Sequence, residues 1–394
     1  MAKGSLLKAK GVRPAGYKFP VGLNKIPGGL EPNTYITTTG STVNAYYDSP
    51  GSDPTRVAYS WTSSGTFDHN LGSDLKADVL IVAGGGAGHS SPSGDGGQAG
   101  GGAGGLLYYS DTDGLSGHPN YGPVAIGSPG YRPSGSSYTK TPNGPAVNLA
   151  SGVRFAIVVG AGGTAMTSPT SDSGNGGPSS ITAPPGTFNN LTATGGGSQN
   201  FGVLGAAQPG GSGSGNYGPA ATAGDGIAGQ GNPGSVAGGV GFAGGGGGGA
   251  AGPGTDMNDT NLRSGKDGNP APTSIPDVPA PLAPYNTAYR YASGGDGLDF
   301  DISGTRRTYA AGGGGSGRGY ANFGGSDNLG GRASGEGPPG PNSDSPWNPT
   351  NTGGNGTVNR GSGGGGGTTG GNGGGGIVII QFRKDGTNFT YSVN

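Results

Sequence analysis

Ala77-Asp78-Val79-Leu80-Ile81-Val82-Ala83-Gly84-Gly85-Gly86 decides the fold, because a strand-length apolar run opens directly into a glycine tract. An apolar run without alternation predicts a strand covered on both faces. The junction recurs at Phe155-Ala156-Ile157-Val158-Val159-Gly160 and, reversed, at Gly373-Gly374-Gly375-Gly376-Ile377-Val378-Ile379-Ile380. Outward from these junctions the chain is dominated by glycine: 98 of 394 residues, with runs at Gly244 to Gly249, Gly312 to Gly315 and Gly363 to Gly367. Glycine loses more backbone freedom on folding than any other residue. A collective arrangement must hold such tracts, which points to a mechanical or adhesive part and away from a catalyst.

Hydrophobic residues make up 29% and charged residues 11% of the chain, against roughly 45–50% and 25% in ordinary domains. That composition suggests disorder, but the apolar residues are gathered into strand-sized blocks. The net charge of −1 implies neither nucleic acid nor an anionic membrane as a partner of the whole chain. Cysteine is absent, so there is no disulfide framework and no thiolate site. No apolar run approaches the ~20 residues of a membrane helix. The N-terminus is basic: Lys3, Lys8, Lys10, Arg13, Lys18 and Lys25 all precede the first acid, Glu31. It lacks a secretory apolar core, and reads either as a solvated tail or as a tether docking on an acidic partner.

Helix is nearly excluded, since Gly or Pro interrupts almost every window. Residues 34–82 read as β, with Thr34 to Thr39, Arg56 to Trp61 and Gly65-Thr66-Phe67 as elements before Val79 to Val82. Further strands are expected at Gly105 to Tyr109, Val153 to Val159, Ser179 to Thr182, Leu191 to Thr194 and Ile377 to Phe382, with Asn388 to Val393 pairing beside the last. Residues 111–150, 253–292, 296–310 and 318–360 carry Tyr, Pro, Asn, Asp and Arg and read as loops.

Three structures suit glycine tracts. A flexible linker fits poorly between apolar strands. Collagen needs glycine at every third position, and the runs here break that register. The third is a bundle of polyproline II helices, which have three residues per turn and no internal hydrogen bonds. Without side chains, such segments approach closely and pair N–H with C=O between neighbours. A flattened glycine-rich sheet is the rival. The expected fold is mostly β and irregular. It has small β-sandwich-like strands, a bundle of glycine-rich polyproline-II-type helices, long polar loops and almost no α-helix.

Motifs that look chemical are weak. Gly160-Ala161-Gly162-Gly163-Thr164-Ala165 fits a dinucleotide fingerprint, but Met166-Thr167-Ser168-Pro169 offers no following helix. Gly294-Gly295-Asp296-Gly297-Leu298-Asp299 matches one copy of a calcium-binding repeat, and a single copy reads better as a polar turn. His69, His89 and His118 share no metal-ligand spacing. No enzyme, cofactor or metal site is expected. Tyr121, Tyr131, Tyr138, Tyr285, Tyr289, Tyr291, Tyr309, Tyr320 and Trp347 lie in loop-like sequence. Loop aromatics offer large contact area at low entropy cost, and the rival role is capping of the glycine scaffold.

Ser64-Gly65-Thr66-Phe67 followed by Ala77 to Gly86 resembles the opening of the glycine-rich domain of bacteriophage tail-fibre and receptor-binding proteins. Gly100 to Tyr108, Val158 to Gly163, Gly174 to Ile181 with Thr192 to Gly197, and Gly373 to Phe382 resemble its later blocks in order. The resemblance implies polyproline II bundles bearing variable tip loops that contact a host surface protein or glycan. It implies a multimeric virion protein attached to other virion proteins through its N-terminal region, with no nucleic acid and no membrane insertion. Residues 1–57 would then be the attachment region, with Lys3, Lys8, Lys10, Arg13, Lys18 and Lys25 as contacts. Residues 58–394 would be the glycine-rich domain, with strands near 77–83, 105–109, 153–159, 191–194 and 377–382. Loops 111–150, 253–292 and 318–352 would offer Tyr121, Tyr131, Tyr138, Tyr285, Tyr289, Tyr291, Tyr320 and Trp347 to the receptor. The other reading is an architectural capsid fibre or decoration protein without a receptor.

Overall fold

The computed structural model describes residues 36–46, 56–90, 98–111, 142–166, 174–199, 206–216, 222–236, 244–254, 294–300, 302–305, 307–315, 317–318, 328–329, 353–367 and 369–383. Among the described residues every regular element is a strand and none is a helix. The strands are β1 (Ile36–Tyr46), β2 (Arg56–His69), β3 (Leu75–Val82), β4 (Leu106–Tyr109), β5 (Val147–Leu149), β6 (Arg154–Val158) and β7 (Ser179–Thr182). They continue with β8 (Leu191–Ala193), β9 (Leu298–Phe300), β10 (Arg307–Tyr309), β11 (Gly317–Arg318), β12 (Asn328–Leu329) and β13 (Ile377–Arg383). Nine form one sheet in the order β4-β3-β13-β2-β6-β7-β8, with β1 beside β2 and β5 beside β3.

The two halves of β2 serve different partners. Arg56 to Trp61 pairs with β13, and Gly65 to Asp68 pairs with β6. The Tyr59 and Phe67 rings lie 5.7 Å apart, whereas a straight strand would separate these residues by about 26 Å. The sheet therefore folds over between them. β1 follows the bend at Gly40, where φ is +72° and the register shifts. A Cβ on Gly65 would overlap the Thr39 carbonyl, so the bend needs glycine there too.

Folding over lays β6-β7-β8 across β13-β3-β4 and nearly closes the antiparallel sheet. Trp61, Phe67, Leu75, Ile81, Phe155, Ile157, Val378 and Ile380 fill the space between. At about 1.5–3 kcal/mol per buried large side chain, this is the principal apolar core. The seam between β4 and β8 is bridged by Gln230: Leu106 N donates to its carbonyl and Thr194 N to its Oε1. On the outer face, Leu80, Val82, Ile377 and Ile379 pack against Leu298, Phe300, Ile302 and Tyr309. β3 is thus covered on both faces, as its unbroken apolar run requires. Residues 296–310 were expected as a polar loop; instead Leu298, Phe300 and Ile302 alternate inward from a hairpin, and Tyr309 is 1% exposed. Asn388 to Val393 lies outside the described residues. The place proposed for it is taken, because β13 pairs with β2 on one side and β3 on the other.

Six strands continue into glycine segments at the same end of the sheet. Segments 83–89, 160–166 and 194–199 leave β3, β6 and β8, while 99–105, 174–178 and 370–376 lead into β4, β7 and β13. Ser179 marks the common level: Gly160 N donates to its Oγ, which donates to Val82 O. Beyond it the pairing changes character. Ala83, Gly86 and His89 donate to Gly105, Gly102 and Ala99; Gly84 and Ala87 donate to Gly177 and Gly174; Gly85 and Gly88 donate to Gly374 and Gly371. Successive amides thus address three neighbours in rotation, at 2.8–3.1 Å. Three other segments donate back, through Gly196 to Gly84, Gly163 to Gly85 and Gly364 to Gly86. Segment 83–89 is hydrogen-bonded on six sides, which a two-sided sheet strand cannot be.

Side-chain-free segments also need something to set their register. Asn–Gly pairs do so three times. Asn175 Oδ1 accepts from Ser198 N while Gly176 N donates to Gly196 O. Asn372 Oδ1 accepts from Ala165 N while Gly373 N donates to Gly163 O. Asn355 Oδ1 accepts from Asn372 N while Gly356 N donates to Asn372 O. Each pair grips one adjacent segment at two points, so a slip breaks both.

Candidate functional site

Away from the sheet, the glycine segments end side by side. Gly100 N donates to Gly245 O, Gly215 N to Gly100 O, Asn216 N to Ser235 O, Gly366 N to Gly314 O and Gly367 N to His89 O. This far end carries polar side chains of which the sequence reading weighs only His89, as a metal ligand. His89, Ser90, Gln98, Gln199, Asn216 and Ser235 are all buried there. Ser90 Oγ accepts from Gly370 N, Ser235 Oγ accepts from Gly246 N, and Gln199 Nε2 donates to Asn216 Oδ1. The available signal was positional: each polar residue stands where a glycine tract begins or stops. Among the described residues, no three of His, Cys, Asp and Glu gather where a metal could bind. The fingerprint at Gly160 runs on as a glycine segment to Met166 without a helix. Gly294 to Gly297 is not a polar turn but a segment entering β9, with Gly295 N donating to Gly247 O.

All the expected receptor contacts fall outside the described residues, but their anchors do not. Tyr285, Tyr289 and Tyr291 lie between Gly254 and Gly294, and Tyr320 and Trp347 between Gly315 and Gly353. Those four glycines belong to the glycine segments: Gly254 N donates to Pro233 O and Gly353 N to Thr369 O, while Gly294 and Gly315 abut Gly312 and Gly244. Tyr121, Tyr131 and Tyr138 are tethered elsewhere. Their stretch leaves β4 after Ser110 and returns at Asn143, whose Oδ1 accepts from Tyr108 N. Lys76 and Asp111 form an ion pair at 2.6 Å beside that point. The described residues flanking these stretches therefore lie on the sheet, on the glycine segments and, for Tyr320, on the paired strands β11 and β12. Lys3, Lys8, Lys10, Arg13, Lys18 and Lys25 precede β1 and also lie outside the described residues. β1 starts at Ile36, opposite His69, at the end of the sheet away from the glycine segments.

His89 gives the far end a pH dependence. Burial lowers its pKa from 6.5 to about 4. The neutral ring is favoured in the folded state, so the unfolded chain binds the extra proton first as pH falls. Stability is full above about pH 6.5 and declines until about pH 4, a loss of about 3 kcal/mol for this shift. Comparing urea unfolding at pH 7.5 and 4.5 is expected to show the decline, and His89→Gln is expected to reduce it. An undiminished pH dependence in the variant would assign the effect to other groups. No family model matches the chain, and no curated protein matches it.

Proposed function

We propose that this chain is a phage virion structural protein of the tail-fibre or adhesin type. It recognises the host surface through loops carried on a rigid bundle of glycine polyproline-II-type helices. The observation that carries the reading is the rotation of amide partners along segment 83–89, which repeats every third residue and reaches six neighbours. That is the symmetry of a three-residue helix. Such a bundle fixes loop anchors rigidly while making few demands on the loops, and loops on rigid scaffolds are where binding residues concentrate. Anchoring of residues 255–293 in the glycine segments supports assigning recognition to Tyr285, Tyr289 and Tyr291. Tyr320, between the paired strands β11 and β12, and Trp347, between β12 and Gly353, are assigned with them. The opposite end, where residues 1–35 join β1, suits attachment to other virion proteins. The partner at the loops is a host surface protein or glycan, and the assembled form is multimeric.

Replacing residues 255–293 with a short glycine–serine linker tests this. Adsorption of the assembled particle to host cells is expected to fall at least about tenfold, roughly 1.4 kcal/mol of binding, with the melting temperature unchanged. If adsorption survives removal of both 255–293 and 319–352, recognition does not reside there. A protein that binds virions but never cells would be an architectural fibre or decoration protein instead.

A further inference from the structure

Each Asn–Gly clamp joins two residues that react readily with one another in a flexible chain. The unhindered glycine nitrogen loses its proton and attacks the asparagine Cγ. A C–N bond forms, ammonia leaves, and water then opens the cyclic imide to aspartate or, more often, isoaspartate. Here the glycine cannot be exchanged for a bulkier residue. A Cβ on Gly176, Gly356 or Gly373 would overlap the carbonyl of Gly84, Ser362 or Gly85. Burial gives no protection either, because Asn175, Asn355 and Asn372 are exposed. Close packing of the glycine segments thus forces a labile dipeptide onto the surface at each of these register points.

The groups that the clamps hold are the reacting groups themselves. Gly176 N donates to Gly196 O at 2.9 Å, Gly356 N to Asn372 O at 2.7 Å and Gly373 N to Gly163 O at 2.8 Å. Each carboxamide is turned to the same neighbouring segment as its glycine. There Oδ1 of Asn175, Asn355 and Asn372 accepts from Ser198 N at 2.8 Å, Asn372 N at 2.8 Å and Ala165 N at 2.7 Å. Ring closure requires the glycine nitrogen to give up its proton and the carboxamide carbon to swing onto it. Each motion breaks a hydrogen bond. We propose that Asn175, Asn355 and Asn372 are latent modification sites, closed in the folded molecule and opened by unfolding. While the chain is folded, reaction waits on local opening.

The consequence extends beyond the converted residue. Isoaspartate lengthens the main chain by one carbon, so amides beyond it fall out of step with their neighbours. Asn372 belongs to two clamps, gripping Ala165 and gripped by Asn355, and its conversion loosens three segments together. A molecule that stays unfolded long enough to react cannot regain the register.

Peptide mapping of the whole chain by mass spectrometry tests this. At mildly alkaline pH the folded protein is expected to gain the one-dalton mass of deamidation at these three asparagines at least about a hundredfold more slowly than in urea at the same pH. Equal rates overturn the proposal. Refolding yield is expected to fall with time in alkaline urea, in step with the mass gain, and to hold in mildly acid urea, where the glycine nitrogen keeps its proton. A yield that falls alike in both, or that survives full conversion, overturns the link to refolding. Ala165→Pro removes the amide that holds Asn372 and leaves Asn175 clamped. In the folded variant Asn372 is expected to convert at least about tenfold faster than in the parent, with Asn175 unchanged. Conversion of Asn372 at the parental rate would mean that the clamp is not what protects it. If that variant does not fold, the folded and urea-unfolded parent decide the matter.

Discussion

Alanine at Gly373 or Gly374 is expected to unfold the domain, while alanine at the adjacent Gly375 is expected to leave it as stable as the parent or slightly more so. All three sit in the segment entering β13. A Cβ on Gly373 would overlap the carbonyl of Gly85, and one on Gly374 that of Thr357. Both obstacles are backbone atoms, and the Gly85 carbonyl is held in place because it accepts from Gly163 N while Gly85 N donates to Gly374 O. A Cβ on Gly375 meets nothing nearer than Gly160 O at 3.9 Å. Overpacking against backbone is expected to cost about 3 kcal/mol or more at the first two positions. At Gly375 the loss of unfolded-chain freedom should favour folding by about 0.5 kcal/mol. Denaturant midpoints of the three variants decide the matter. Three similar midpoints would mean that close approach of backbones does not hold this region together.

Trp61→Ala is expected to be the most damaging change in the sheet. The side chain is fully buried, its ring lies 6.3 Å from Tyr59 and 6.1 Å from Phe67, and Nε1 donates to Thr39 O at 2.8 Å. It therefore joins both halves of the folded-over β2 to the bend in β1. Removing it should cost about 3–5 kcal/mol for the cavity, with about 1 kcal/mol more for the hydrogen bond. Trp61→Phe keeps much of the volume and should lose markedly less. Urea unfolding followed by circular dichroism measures both. Equal losses in the two variants would place the stabilisation in the hydrogen bond and not in packing.

Legibility in the sequence followed side chains. Val79 to Val82 and Ile377 to Ile380 were readable because unbroken apolar runs have few alternatives to a strand covered on both faces. Ser179 to Thr182 was expected as a short strand and is observed with those bounds. β1 was legible only as far as Thr39, since Gly40 resembles a terminus and is in fact a bend within a longer strand. β9 and β10 were missed because Tyr309 and two arginines gave residues 296–310 a polar character, although Leu298-Asp299-Phe300 alternates. The partners of each glycine were not legible at all. Gly85 bonds to Gly374 and Gly163, residues far away in the chain, and no side chain records that choice. The Asn–Gly clamps were visible as dipeptides, but nothing in a single sequence distinguishes a register pin from a turn.

Ile36 and Arg383 leave the described structure at one pole, and the glycine segments run from the sheet toward the other. A pull applied between the poles acts along the segments, whereas their amide bonds lie across them. Such a load is carried in shear: many bonds are strained together, and none can be peeled open ahead of the rest. A molecule tethered at one end and gripped at the other would resist sudden tension far better than its modest apolar core suggests.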